Sequence, residues 1–149
     1  NPPLSAPAAD ASMAAALAAL AERDPRYRRQ AYEVVLAALA QAQHEAVDAA
    51  SRSRRPAASH VGGEAILEAL RRLALAEYGP LAYRVLTTWG LRRTEDVGAV
   101  VFALIEAGLL SATAEDSPAD FADGYDFVTA FVEPFAESGD MPAGLPPLG

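Results

Sequence analysis

From Met13 to Ile105 the apolar residues recur at intervals of three and four, and the rhythm breaks only where proline or glycine interrupts it. That spacing puts one apolar stripe on each of several successive helices and leaves little room for strands. Ser12 predicts the cap of a first short helix with Met13, Ala16, Leu17 and Leu20 inward. Asp24-Pro25 predicts the start of a second, because an N-cap acceptor precedes a proline whose missing N–H costs nothing at the first helical position. Its inward row is Ala31, Val34, Val35, Ala38, Leu39, Ala42 and Ala46, fading near Ala50. Gly62-Gly63 leads into a third, with Ile66, Leu67, Leu70, Leu73 and Ala74 inward, and Gly79-Pro80 stops it. A fourth carries Leu81, Val85, Leu86 and Trp89 and ends at Gly90. Thr94 caps a fifth, with Glu95 and Asp96 in its electropositive first turn, Val97, Val101, Leu104 and Ile105 inward, and Gly108 closing it.

After Gly108 the period changes. Residues 109–113 and 125–128 are short enough to pair as a β-ribbon, and residues 128–136 suggest a last helix docking its Phe side chains on the bundle. The expected fold is therefore mainly α: a compact five- or six-helix domain over residues 12–137, winged-helix-like if the ribbon forms. Extended Pro/Ala and Pro/Gly tails are expected over residues 1–11 and 138–149.

The charge is split along the chain. Residues 1–93 hold 12 Arg, no Lys and 9 acids, a net of +3, whereas residues 94–149 hold 11 acids and no base, which together make the overall −8. At 149 residues the chain fits one domain, burying about 68% of the surface its unfolded form would expose. With no Cys there are no disulfides, thiolate nucleophiles or thiolate metal sites. His44 and His60 are the only imidazoles, so a zinc site would depend on carboxylates, and neither a metal nor a cofactor is expected. No apolar run reaches the ~20 residues of a membrane span. Exclusive use of Arg beside so much Ala, Gly and Pro fits a GC-rich genome.

A winged helix would place residues 95–107 as its recognition helix, and that segment carries Glu95, Asp96 and Glu106 without one base. DNA is accordingly not an expected partner. Arg52, Arg54 and Arg55 form an arginine-rich loop, with Arg26, Arg28 and Arg29 as a second group; both suit an anion, including RNA, if they converge in space. Gly62-Gly63 lacks the strand and lysine of a phosphate loop. His60 would need an orienting carboxylate to act as a base, and Asp116 and Asp120 are the acids considered. Glu115/Asp116 and Asp120/Asp123/Asp126 lack the glycine and terminal glutamate of a calcium loop.

Asp24-Pro25-Arg26-Tyr27, His60-Val61-Gly62-Gly63 before Ile66-Leu67-Glu68, Tyr78-Gly79-Pro80-Leu81-Ala82 and Trp89-Gly90 follow one another in order. So do Thr94-Glu95-Asp96-Val97-Gly98, Val101-Phe102, Gly108-Leu109-Leu110, Asp116-Ser117, Asp120-Phe121 and Gly124-Tyr125-Asp126-Phe127. Over roughly Asp24 to Phe135 this run resembles the small conserved hypothetical Minf-type family of planctomycetes and verrucomicrobia. The chain departs from that pattern at Val97, where Phe is usual, and at Ala65, where Glu is usual; the latter weakens any carboxylate role beside His60. The resemblance implies a small cytoplasmic domain and brings no established activity with it.

The leading functional expectation is a non-catalytic protein-interaction or accessory subunit of a larger assembly. Ordering two Pro-rich tails costs roughly 1–2 kcal/mol per residue, so a surface outside the small core would have to hold them. Leu4, Leu145 and Leu148 are the expected anchors, with Tyr125 and Phe127 in the acidic segment as further partner-binding residues. The alternative is a nucleic-acid or phosphate-binding module built on the arginine-rich loop, and the third is a hydrolase-type enzyme using His60.

Overall fold

Asp24-Pro25 opens a turn, not the helix its sequence suggests. Asp24 accepts a hydrogen bond from the Arg26 backbone N–H at 3.2 Å, and the Tyr27 N–H bonds back to the Asp24 carbonyl at 3.2 Å. The next donor, the Arg28 N–H, goes to the Trp89 carbonyl 3.0 Å away, so it cannot close a helical turn onto Asp24. Tertiary pairing has overridden a local signal, and the second helix begins only at Arg29.

The computed structural model describes residues 5–53, 62–110, 118–122 and 124–138. Seven α-helices run through them: α1 Ser5–Arg23, α2 Arg29–Ser53, α3 Gly63–Tyr78, α4 Ala82–Thr88, α5 Thr94–Glu106, α6 Phe127–Phe131 and α7 Glu133–Ser138. Short 3-10 turns occupy Gly79–Leu81 and Pro118–Phe121. The chain is mainly helical, as its periodicity implies. No strand occurs among the described residues, so the expected ribbon is not supported; residues 111–113 of one leg lie outside the described residues. Phe127 and Val128, assigned to one of its legs, instead open α6 because the Asp126 carboxylate caps that helix, accepting from the Thr129 N–H at 3.0 Å. Without the ribbon the winged-helix reading loses its wing. The N-terminal segment differs too: α1 starts at Ser5 and takes in most of the expected extended tail, since Ala-rich sequence favours helix and Pro7 falls in the first turn, where its missing N–H is tolerated. Residues 1–4 and 139–149 lie outside the described residues.

α2 and α3 form an antiparallel hairpin that α5 crosses, and the core gathers between them. Tyr32, Val35, Leu70, Leu86, Leu91, Val97, Val100, Leu104 and Phe131 are all completely buried. The final helix is broken in two because Pro134 has no N–H to offer the Ala130 carbonyl. Before the break, Phe127 and Phe131 meet edge to face at 5.1 Å, and Tyr125 meets Phe131 at 5.9 Å, so this aromatic group docks on the helices as anticipated.

Two glycines show what the backbone requires. Gly79, at φ 51°, ends α3 and returns its N–H to the Leu75 carbonyl. Gly90, at φ 107°, lies against the Asp24–Arg28 turn so closely that a Cβ there would fall 2.0 Å from the Arg26 carbonyl oxygen. Gly108 shares a positive φ of 79° but has nothing within 4 Å of the same position. Gly90→Ala should therefore cost more than about 3 kcal/mol, or abolish folding, while Gly108→Ala should cost only about 1–2 kcal/mol from backbone strain. Urea unfolding of the two variants beside the parent checks the difference.

Candidate interaction surface

The turn at Asp24–Arg28 is fixed to the start of α5 by one carboxylate. Asp96 accepts the Tyr27 hydroxyl proton at 2.7 Å, the Arg92 N–H at 2.9 Å and the Arg93 N–H at 3.1 Å. It thus supplies the helix cap that the sequence assigns to Thr94, as Arg93 takes the extended N-cap conformation. Released from capping, the buried Thr94 hydroxyl accepts the Gly124 N–H at 3.0 Å and ties the C-terminal segment to α5. Burial, and then the anionic Asp96, push the Tyr27 phenol well above its usual range. Burial does the same to Tyr125, whose hydroxyl donates to the Leu67 carbonyl at 2.8 Å.

Arginines meet carboxylates around the exterior. Arg26 grips Asp24 through Nε and Nη2 at 3.0 and 2.8 Å, and its hydrogen bond is the main reason the Asp24 carboxyl titrates below the ordinary range. Arg72 on α3 grips Glu45 on α2 at 2.6 and 2.8 Å, holding that carboxyl down at about 2. Arg71 pairs with Glu68, Arg29 with Glu33 at 3.1 Å and Arg52 with Asp48 at 2.5 Å.

The two arginine groups proposed as one anion site are therefore separated. Arg29 and Arg52 stand near opposite ends of α2, and 23 residues at 1.5 Å each place them roughly 35 Å apart. Arg54, Arg55 and His60 lie outside the described residues, as do Asp116, Leu4, Leu145 and Leu148. Phe127, expected to face a partner, is buried in the core, and Tyr125 is partly buried beside it. Asp126, from the acidic series, caps α6, and His44 is exposed on α2.

A cleft of about 840 Å³ opens where α3 begins, between Gly63, Glu64 and Glu68 on one side and Asp120 and Tyr125 on the other. Gly63 is needed at its edge, since a Cβ there would come within 2.9 Å of Asp120. No group of three His, Asp or Glu able to hold a metal occurs among the described residues. No helix among them is long and apolar enough to cross a membrane.

Leu81 is the residue whose placement departs most from its sequence pattern. Expected inward on the fourth helix, it is 61% exposed, and the adjacent Ala82 takes the core position completely buried. The 3-10 turn Gly79–Leu81 precedes α4 and shifts which residues face in, so the outward row becomes Leu81, Arg84 and Thr88. Beside the turn, Trp89 meets Tyr78 edge to face at 5.8 Å. Arg92 and Arg93, both exposed, carry no motif that would single them out in sequence, yet the Tyr27–Asp96 contact brings them next to Arg26 and Arg28.

No family model, curated protein or solved structure matches this chain.

Tyr27→Phe should destabilise the fold by roughly 1–3 kcal/mol, the range for a hydrogen bond to a charged group, and Asp96→Ala in a double-mutant cycle should show that the two losses overlap. Because Glu45 titrates near 2 in the folded chain against an ordinary 4.5, its contribution is complete above pH ~4.5 and drains away as pH falls toward ~2. Solvent screening keeps it small. Thermal melts across that window at low salt should show a shallower acid decline for Glu45→Gln than for the parent.

Proposed function

We propose that this protein is a non-catalytic interaction module, an accessory subunit that binds another protein through the Gly79–Leu81 turn and the outward side of α4. The observation that carries this reading is Leu81. Exposed leucines are ordinary on protein surfaces, but this one sits on a backbone that has little freedom to move. Pro80 fixes the turn, the Gly79 N–H is bonded to Leu75, and the Ala82 N–H is bonded to Gly79. The Tyr78–Trp89 pair supports it from the side. Burying a leucine side chain is worth about 1.5–3 kcal/mol, and a side chain held on a rigid turn loses less freedom on docking than one on a loop. Among the described residues, Met13, Val47 and Val128 are the other exposed large apolar side chains, and each is less exposed than Leu81.

The titratable side chains described are largely committed to the fold. Tyr27 and Asp96 fix a turn, Asp126 caps a helix, Tyr125 holds the α3 backbone, and Glu45 and Glu68 pair with arginines. That pattern suits a scaffold that presents a surface.

The test is association in the native cell extract. The parent chain should elute well above its 15.6 kDa mass in a complex of fixed stoichiometry, and Leu81→Asp should return to monomer size with an unchanged helical circular dichroism spectrum. A parent chain that elutes as a monomer, or a Leu81→Asp chain that elutes with the complex, overturns the reading.

A further inference from the structure

We infer that the junction of residues 23–29 with residues 84–93 docks an acidic segment of the protein partner, an inference that rests on the interaction reading above and gives the partner its chemistry. Seven of the chain's twelve arginines, Arg23, Arg26, Arg28, Arg29, Arg84, Arg92 and Arg93, fall in these two stretches, against a single acid, Asp24. The two stretches together carry +6 in a chain of −8, which leaves −14 for everything else.

Fifty-four residues separate them in sequence; two backbone contacts join them directly and a third runs through Asp96 just beyond. The Arg28 N–H reaches the Trp89 carbonyl at 3.0 Å, Gly90 lies directly on the Arg26 carbonyl, and the Tyr27 hydroxyl reaches Asp96 at 2.7 Å. Most of the nearby acids are already engaged, Glu22 beside Arg23 excepted. Asp24 holds Arg26, Glu33 holds Arg29, Asp96 accepts its three donors, and Glu95 has a contact of its own. Arg28, Arg84, Arg92 and Arg93 are exposed and make no ion pair among the described residues.

Two features favour a polypeptide carboxylate over a phosphate chain. First, the two stretches carry +6 in a chain of −8 overall, so a long polyanion is repelled by the chain's net charge whereas a short acidic segment needs only the local patch. Second, the outward row of α4 joins the patch to Leu81 through Arg84 and Thr88, a span of about 10 Å. A helical partner segment with an apolar residue two turns from a pair of carboxylates has matching dimensions. The arginine fork itself does not discriminate, since it fits phosphate as well, but it can take carboxylates two-handed. Arg26, Arg71 and Arg72 already do so within the chain.

The full-length chain should be titrated against a labelled synthetic helical peptide with one leucine and two glutamates seven and eight positions away, read by fluorescence anisotropy at ~50 mM and ~300 mM salt. Binding should weaken with salt, be lost in a peptide with both glutamates changed to glutamine, and fall about tenfold or more in Arg92→Gln/Arg93→Gln. Arg92→Lys/Arg93→Lys should recover only part of it, and Arg52→Gln, ~35 Å distant, should leave it unchanged. Absence of binding at ~50 mM salt, indifference to the arginine changes, or tighter binding of a single-stranded oligonucleotide at the same site would overturn the inference. The two readings fail separately. If Leu81→Asp abolishes the native complex while Arg28→Gln/Arg92→Gln/Arg93→Gln preserves it, the interaction module stands and the acidic partner does not; if both variants preserve it, both readings fall.

Discussion

Everything in this fold is arranged around the place where the backbone of residues 26–28 touches that of residues 89–90. The approach is possible only because Gly90 has no side chain and accepts a positive φ. With the two stretches in contact, Tyr27 reaches Asp96, Asp96 caps α5, and Thr94 is left to hold Gly124. Each of these hydrogen bonds depends on the one before it. A buried or half-buried polar group that lost its partner here would cost about as much as a sizeable core residue, so the chain of contacts behaves as one unit.

How far the sequence foretells this arrangement depends on the range of the interaction. The inward rows of α2, α3 and α5 follow directly from 3.6-residue periodicity, and Ala38, Leu70 and Leu104 are buried where the pattern puts them. Gly79 ends its helix for a local reason, steric freedom at positive φ, and the sequence displays it. Asp24-Pro25 misleads because the Arg28 N–H, which a helix opening there would use, is claimed by the distant Trp89, and Thr94 misleads because its hydroxyl is claimed by Gly124. Leu81 misleads for another reason. It lies in a three-residue 3-10 turn ahead of α4 rather than on that helix, whose Leu86 is buried where the pattern puts it, and periodicity alone does not register so small a change of winding.

Of the candidate interaction surface, even less is legible. The arginine-rich loop drew attention because its residues are adjacent in sequence, whereas the cluster that forms combines two stretches with nothing in common except their arginines. Adjacency overstated Arg52, which is neutralised by Asp48 one turn away. Phe127 shows the converse. Aromatic residues in an acidic segment resemble a sticky surface, but here Phe127 and Phe131 pack on each other and their acidic neighbours remain at the edge. The apparent contradiction of aromatic content and high negative charge is resolved by geometry within a single turn of helix.

The length of sequence spanned by these contacts sets the order in which the molecule can assemble. The α2–α3 hairpin closes over a short connection, and its Arg72–Glu45 pair spans 27 positions. Tyr27 meets Asp96 across 69, and Tyr125 meets Leu67 across 58. Entropy of closure rises with loop length, so the hairpin forms while the ends are still searching for each other. The arginine cluster is therefore among the last features to exist: a chain emerging from the ribosome displays Arg26 and Arg28 long before Arg92 and Arg93 arrive to join them. Any partner that requires all four recognises only the finished fold, and a half-made chain passes it unbound.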